Sequence, residues 1–496
     1  MKIENRFNNT RSIIQNLIDE SRIPSLAVGV AHNGEILWKE GFGFADREKK
    51  IPATEQSIYN LASISKVFTA TGIMILSERG QLDLDKSIQH YIPDLQITYH
   101  HGSPEELTIR RLANHSSGLP MHFSYHYSDE ETKPYSIPEA VQRYGNIVAP
   151  PMERSHYSNL GYGILGYLIE ETTGMTYGEF IENEVFQPLG MENSHVINKQ
   201  TRRENNVTFY GPDGMAEFDE NGKPKFVQYG TSFDKIPYSE TDTPGSGAVS
   251  CSVHDLLKFG MFHIDGGPIL SNEELVKMRK PTSAPTIINA PPSAFIDENT
   301  KYGIGWRISN LNGYEIAWHD GGKSGASTKL VLIPSESLVV IALCNRFQPL
   351  VTDQVVVSII SALLPRGPIP DKTPTFLPND SPLAGEWNGA IHTPDGKVAL
   401  TLWVNENEEA YSKLDHEVKH PFYISRASDN YFWGVLKGDL STEDTKRYPH
   451  DVSLDLKRRG DVLDGYAVAM CPKTPSNRMG YALSFWTELR KVDSNI

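Results

Sequence analysis

The sequence predicts an α+β protein in two parts. A long domain over residues 1–364 builds an antiparallel sheet flanked by a mostly helical region, and a small all-β, barrel-like domain follows over 383–496. Three observations predict this. Strand-like runs stand at both ends of the first part while helical periodicity fills its middle, so the sheet has to be assembled from distant segments. Residues 365–382 (PRGPIPDKTPTFLPNDSP) hold six prolines in eighteen positions; proline removes backbone donors and stiffens the chain, which marks a linker. Beyond it the pattern is almost wholly that of strands.

The elements follow in chain order. In TRSIIQNLIDE (10–20), Ile13, Ile14, Leu17 and Ile18 form one helical stripe. In LAVGVAHNGEILWKEGFGFAD two β-rich runs flank Asn33-Gly34, a hairpin signal. A helix is expected from about Ser63 to Arg79, stopped by Gly80. The stretch 200–247 is rich in Gly, Asn, Asp and aromatics, with little periodicity. It reads either as an ordered flap beside a site or as a surface excursion with a hairpin at Asn221-Gly222. From 303 to 344, GIGWRI, YEIAWH, STKLVLI and SLVVIALC read as strands, and VTDQVVVSIISALL (351–364) as a helix. In the last part Val398, Leu400, Leu402 and Val404 alternate with other residues, as do Val452, Leu454 and Leu456 before a Gly460-Asp461 turn.

Composition narrows the function. The chain has 496 residues, 39% hydrophobic and 22% charged, with 47 basic against 62 acidic side chains and a formal charge of −15. That argues against nucleic acid or an anionic membrane as the main partner, since both need clustered cations. Cys251, Cys344 and Cys471 are far apart and odd in number, which reads as buried free thiols in a reducing compartment. The N-terminal MKIENRFNNTRSIIQ lacks the apolar core of a leader, and the apolar runs near 337–344 and 355–364 are too short to cross a bilayer. A cytoplasmic location is the expectation.

The chemistry is expected in LASISKVFTA (61–70). A spacing of three puts Ser63 and Lys66 on one helix face, about 5–6 Å apart at Cβ. A serine at a helix N-terminus meets the positive end of the dipole, and a lysine desolvated enough to be neutral can take its proton. On its own S-x-x-K is a weak signal. Two further segments give it weight: His156-Tyr157-Ser158-Asn159-Leu160-Gly161 and Trp318-His319-Asp320-Gly321-Gly322-Lys323-Ser324-Gly325.

With these three segments the chain resembles the serine β-lactamase and penicillin-binding protein superfamily, and within it the class C β-lactamase, esterase and D-aminopeptidase branch. The branch carries S-x-x-K, Y-x-N and K-T-G or H-x-G in that order, here SISK, YSN and HDG. ANHSSGLP, GYGILGYLIEETTGMTYGEF with QPLGM, and GSGAVSCSVHDLLKF resemble its linking phrases. The alternative α/β-hydrolase reading needs G-x-S-x-G, which does not occur. The resemblance implies Ser63 as nucleophile, Lys66 and Tyr157 sharing the acid–base work, and Asn159 as a hydrogen-bonding partner of Lys66 or of the substrate amide. It also implies His319 in place of the third-motif lysine, and backbone N–H groups of Ser63 and Gly322 as the oxyanion hole. Histidine supplies less positive charge than lysine near neutral pH, which favours an esterase, a D-residue peptidase or amidase, or an acyl transferase over antibiotic chemistry. The last part is similar, weakly, to the lipocalin-like appendage of some members.

No cofactor or metal is implied. His115, His122 and His126 lie close in sequence without a recognised ligand partner and read as aromatic loop packing, with MHFSYHY bordering an acyl pocket. Ser252 and Asp255 read as a helix cap, Asp320 as an ordinary turn residue, and Lys323 and Ser324 as a turn in solvent in preference to a contact with substrate. The expected partner is a small-molecule or peptide substrate, and a homo-oligomer stays open. Three functional readings are carried forward: hydrolysis through an acyl-enzyme, acyl transfer through the same intermediate, and a non-catalytic binding or sensor protein.

Overall fold

A computed structural model describes residues 6–492 except 21, 198–202, 212–213, 219–223, 229–232, 285–293, 297–298, 365–382, 407–408, 416, 429, 472–473, 475 and 477. The expected proline-rich linker and the Asn221-Gly222 turn therefore lie outside the described residues. Helix α1 (Asn8–Asp19) leads into the hairpin β1 (Ser25–His32) and β2 (Glu35–Asp46), with Asn33 and Gly34 both at positive φ in the turn, as a two-residue connection requires. A 3₁₀ turn, Ala62–Ile64, opens α2 (Ser65–Glu78), and Gly80 ends it at φ +73°. Then come β3 (Phe123–Tyr127), α3 (Asn159–Thr173), β4 (Ser239–Thr241) and α4 (Val253–Asp265). The strands β5 (Arg307–Leu311), β6 (Tyr314–Lys323), β7 (Ala326–Ile333) and β8 (Leu338–Cys344) precede α5 (Pro349–Leu363).

The main sheet has eight strands and runs from the short edge pair Lys301–Tyr302 through β5, β6, β7, β8, β1 and β2 to Ile51–Pro52. Its centre joins β1 to β8, with Val28 opposite Ala342 and Val30 opposite Val340. Both strands are buried on both faces because helices cover both. Val28, Val30, Val340 and Ala342 pack toward α1 and α5 through Ile14, Leu17, Val355 and Ile359. Ala27, Ala31, Val339 and Ile341 pack toward the helical region through Leu256, Leu257 and Phe259. Strand alternation thus divides one sheet between two cores.

The structure departs from the expected elements at 303–306. Gly303–Trp306 is a loop and the strand begins at Arg307, since Gly305 takes φ +81° and a Cβ there would stand 2.6 Å from that of Ala70 on α2. Ser252 caps α4 as expected, accepting from the Asp255 N–H at 3.2 Å. Cys251, Cys344 and Cys471 are all buried, and no disulfide joins them.

The last part is a closed antiparallel barrel of eight strands, from β9 (Gly385–Thr393) to β16 (Tyr481–Lys491). Closure is explicit, because β16 pairs both with Val462–Cys471 and with β9. The barrel does not stand apart. β3 continues the ladder of β16, with Phe123 opposite Ala482 and Ser124 opposite Tyr481, and β4 extends it on the other side of β3. Among the described residues no helix is long and apolar enough to cross a membrane.

Candidate active site

The turn before α2 is held from both sides. Ala62, just ahead of Ser63, takes φ +47°, a conformation costly for a residue with a Cβ, and its N–H donates to Asn60 Oδ1 at 3.0 Å. Thr328 Oγ1 donates to the Leu61 carbonyl at 2.8 Å, which ties the turn to the sheet. β6 lies directly on this turn. A Cβ on Gly321 would sit 2.1 Å from the Leu61 oxygen, so only glycine allows the approach.

α2 is buried from Ser65 to Leu76, and Lys66 is the one charged residue in that stretch. Lys66 is 0% exposed. Its Nζ lies 3.2 Å from Ser63 Oγ, 2.7 Å from Asn159 Oδ1 and 2.9 Å from the Ser246 carbonyl oxygen. Burial holds its pKa well below the ordinary lysine value, and the Arg307 cation pushes the same way, against Asp320. A neutral amine fits this environment: it donates twice, to Asn159 and Ser246, and keeps a lone pair for the Ser63 hydroxyl.

Asn159 opens α3, whose cap is Ser158, accepting from the Gly161 N–H at 3.1 Å. Asn159 Nδ2 donates to the His122 carbonyl at 2.8 Å, so its amide bridges Lys66 to β3. The Lys66 Nζ stands 4.8 Å from the Tyr157 ring centroid. Burial raises the phenol's pKa well above the ordinary value, while Arg307 and a hydrogen bond with Ser63 pull it down without cancelling that. Tyr157 is thus a phenol, not a phenolate, at neutral pH.

His319 faces Tyr157 with ring centroids 6.3 Å apart. Its Nδ1 lies 2.6 Å from the Asp320 carbonyl oxygen; a carbonyl only accepts, so Nδ1 carries the proton and Nε2 is left as an acceptor. Burial and Arg307 hold the imidazole below its usual range, and it is neutral at pH 7. Gly322 pairs with Ser327 on β7. Ser63, Lys66, Tyr157, Asn159 and His319 thus share one neighbourhood, with Gly321-Gly322 against the Ser63 turn. A small recess of about 20 Å³ meets Ser63, lined by Phe123 and Tyr125 of β3, Asn159, Thr241, Ser246 and Gly247.

Two expectations need correction. Asp320 is not an ordinary turn residue: it lies within β6 and pairs with Arg307 at 3.3 Å, because Arg307 on β5 stands opposite Trp318 in the ladder. Lys323 and Ser324 are not in solvent. Both are buried, and Ser324 Oγ accepts from the Met479 N–H of the barrel at 2.6 Å. The three histidines are occupied within the fold. His115 packs on Tyr157, Tyr162 and Tyr302, His122 pairs with Asp242 at 2.6 Å, and His126 meets Ser124 and Arg447.

Sequence reasoning missed Arg307. Its guanidinium carbon lies 5.5 Å from the Tyr157 ring and 5.5 Å from that of Tyr302. The one signal was a cation in an otherwise apolar strand run, GIGWRI.

The sheet, the helical region and the S-x-x-K, Y-x-N and H-x-G segments together define the serine β-lactamase/transpeptidase-like class. The Beta-lactamase family matches over residues 10–357, and the chain belongs to that family. It is 27% identical over 416 residues to penicillin-binding protein 4* of Bacillus subtilis (strain 168), covering 80% of this chain and 85% of that one. Among solved structures it is similar to the octameric penicillin-binding protein homologue from Pyrococcus abyssi. That match has a TM-score of 0.59 at 20% identity, over 98% of this chain and 100% of the other. It is also similar to EstCE1, a hydrolase with promiscuous acyltransferase activity, with a TM-score of 0.56 at 19% identity over 72% and 99% of the two chains.

Proposed function

We propose that the protein is a serine hydrolase that forms a covalent acyl-enzyme on Ser63 from a small ester, an amide or a D-amino-acid-containing peptide. The observation that carries this reading is the buried Lys66 amine, 3.2 Å from Ser63 Oγ and held in place by Asn159 and Ser246.

Ser63 Oγ attacks the substrate carbonyl while its proton passes to the neutral Lys66 Nζ. The carbonyl oxygen becomes an oxyanion received by the N–H groups of Ser63 and Gly322; one such donor is worth about 3–4 kcal/mol in comparable sites. Tyr157 relays the proton to the leaving group and remains a phenol between steps. Water then takes the place of the leaving group, and the same groups act in reverse to free Ser63. Asn159 orients Lys66, and His319 accepts a hydrogen bond at Nε2 from the leaving-group side.

The acyl recess is bounded by Phe123 and Tyr125, on the strand that joins the barrel, so the barrel supports one wall of the site. Transfer to an alcohol or amine uses the same intermediate. The EstCE1 likeness keeps that reading open, and product analysis with added amines separates it from hydrolysis. The octameric relative suggests self-association, which sedimentation would measure. The test of the function is a panel of D- and L-aminoacyl esters and amides, simple aryl esters and a lactam. Turnover of at least one class, lost in Ser63→Ala, is expected. Turnover that survives the substitution rules the reading out.

A further inference from the structure

Lys323 ends β6 in an environment that leaves its charge unanswered. It is 6% exposed, and its Nζ makes one hydrogen bond, to Ser239 Oγ at 3.3 Å, beside the Tyr125 ring at 5.4 Å. Among the described residues no carboxylate pairs with it. Two acids on adjoining segments are committed elsewhere, Asp242 to His122 at 2.6 Å and Asp129 to Arg478 at 2.6 Å. Buried charges are ordinarily paired, and an unpaired one is costly. Burial alone holds this ammonium down to about 8, so it is still mainly charged at pH 7.

Its position relates it to Ser63. Side chains alternate along a strand. Gly321 faces the Leu61 carbonyl of the nucleophile turn, whereas Gly322 faces Phe347 on the opposite side. His319 and Lys323 share the face of Gly321, each about 7 Å along the strand from it, in opposite directions. Tyr125 lines the recess beside Ser63 and also touches the Lys323 ammonium. Tyr125 is thus the side chain common to the two, and an acyl chain that extends from Ser63 past its ring would approach Lys323.

We propose that Lys323 is a specificity-determining residue that binds a carboxylate at the far end of the substrate's acyl chain, so that the preferred acyl donor is a half-ester or half-amide of a dicarboxylic acid. This rests on the acyl-enzyme reading above. The substrate carboxylate supplies the counter-ion that the fold leaves out, and Ser239 and Tyr125 hold the ammonium in place for it.

The test compares 4-methylumbelliferyl half-esters of succinate, glutarate and adipate with the uncharged butyrate, valerate and hexanoate esters at pH 7. In the wild type the best half-ester is expected to exceed its uncharged counterpart in kcat/KM by about 10-fold or more. In Lys323→Met this ratio should fall by about 10- to 100-fold, mostly through KM, and Lys323→Arg should retain most of it. Thermal melting of each variant checks that it folds, and Lys323→Gln serves if the methionine variant does not. A wild-type ratio at or below one, or a ratio unchanged in both neutral variants, overturns the assignment. Ester turnover that survives Ser63→Ala sinks the acyl-enzyme reading instead, so the two failures are distinguishable.

Discussion

Lys66 shows what a single side chain gains from its surroundings. The S-x-x-K spacing placed it one turn from Ser63, and the fold then stripped its water and set Arg307 nearby. Its folded pKa lies below the ordinary value, so the amine is neutral and able to accept a proton at a pH where an exposed lysine is charged. Activity should therefore fall as pH drops through that depressed value, giving an acid limb in kcat/KM. The groups that set the limb are Arg307, Asp320, His319 and His115, which all bear on Lys66 or on one another. Arg307→Gln removes the main cation, so the acid limb should move to higher pH, as a pH–rate profile would show. An unmoved limb would remove Arg307 from the account. Lys66→Ala and Tyr157→Phe should each lose about 10²–10⁴ in kcat with the melting curve little changed. The serine, the lysine and the tyrosine were legible from short motifs. Arg307 was not, because its role depends on standing opposite Trp318 across a ladder, and a register between strands is not written in local spacing.

At the scale of elements, periodicity and turn chemistry served well where the chain obeys local rules. The Asn33-Gly34 hairpin, α2 with its stop at Gly80, and α5 all follow their patterns. The departures occur where a distant element dictates the backbone. Gly303–Trp306 looks like strand but packs as a loop on α2, and Asp320 to Ser324 looks like a turn but forms the end of β6 and its connection, covered by the barrel. The glycines of β6 mark such a place, since Gly321 lies against the turn that carries Ser63. Gly321→Val should push β6 away from Leu61, cost about 1–3 kcal/mol of stability, and lower kcat by misplacing the Gly322 N–H. A urea titration and steady-state kinetics on the same preparation would report both. Normal kcat in a folded Gly321→Val protein would contradict the close approach as a catalytic requirement.

At the scale of the whole molecule, a barrel some 300 residues away in sequence closes against the site. β16 carries the β3 strand, Tyr127 O–H donates to the Met479 carbonyl at 2.8 Å, and Glu153 lies between Lys457 and Arg459 at 2.6 Å from each. Burial alone would raise the Glu153 pKa, but the two cations hold it at about 2, against an ordinary 4.5. A depressed carboxyl stabilises the folded state fully above pH 4.5 and loses that contribution as pH falls toward 2. Glu153→Gln should therefore melt lower than wild type at pH 6, with the difference closing by pH 2 in thermal scans. A constant difference would show that the ion cluster does not act through charge. The β character of 383–496 was legible from alternation. A barrel-like form was expected there and is what the structure has; which strands close it, and its docking through β3, were not legible, since both depend on pairings between residues far apart in the sequence. We propose 1–364 and 383–496 as the two domains, with 365–382 between them.

Intact-protein mass spectrometry after exposure to a fluorophosphonate probe or an activated ester bears on the nucleophile without knowledge of the natural substrate. One adduct per chain, mapped to the peptide that carries Ser63 and absent in Ser63→Ala, is the predicted result. Unmodified protein at high probe concentration, or an adduct that persists in Ser63→Ala, would contradict it.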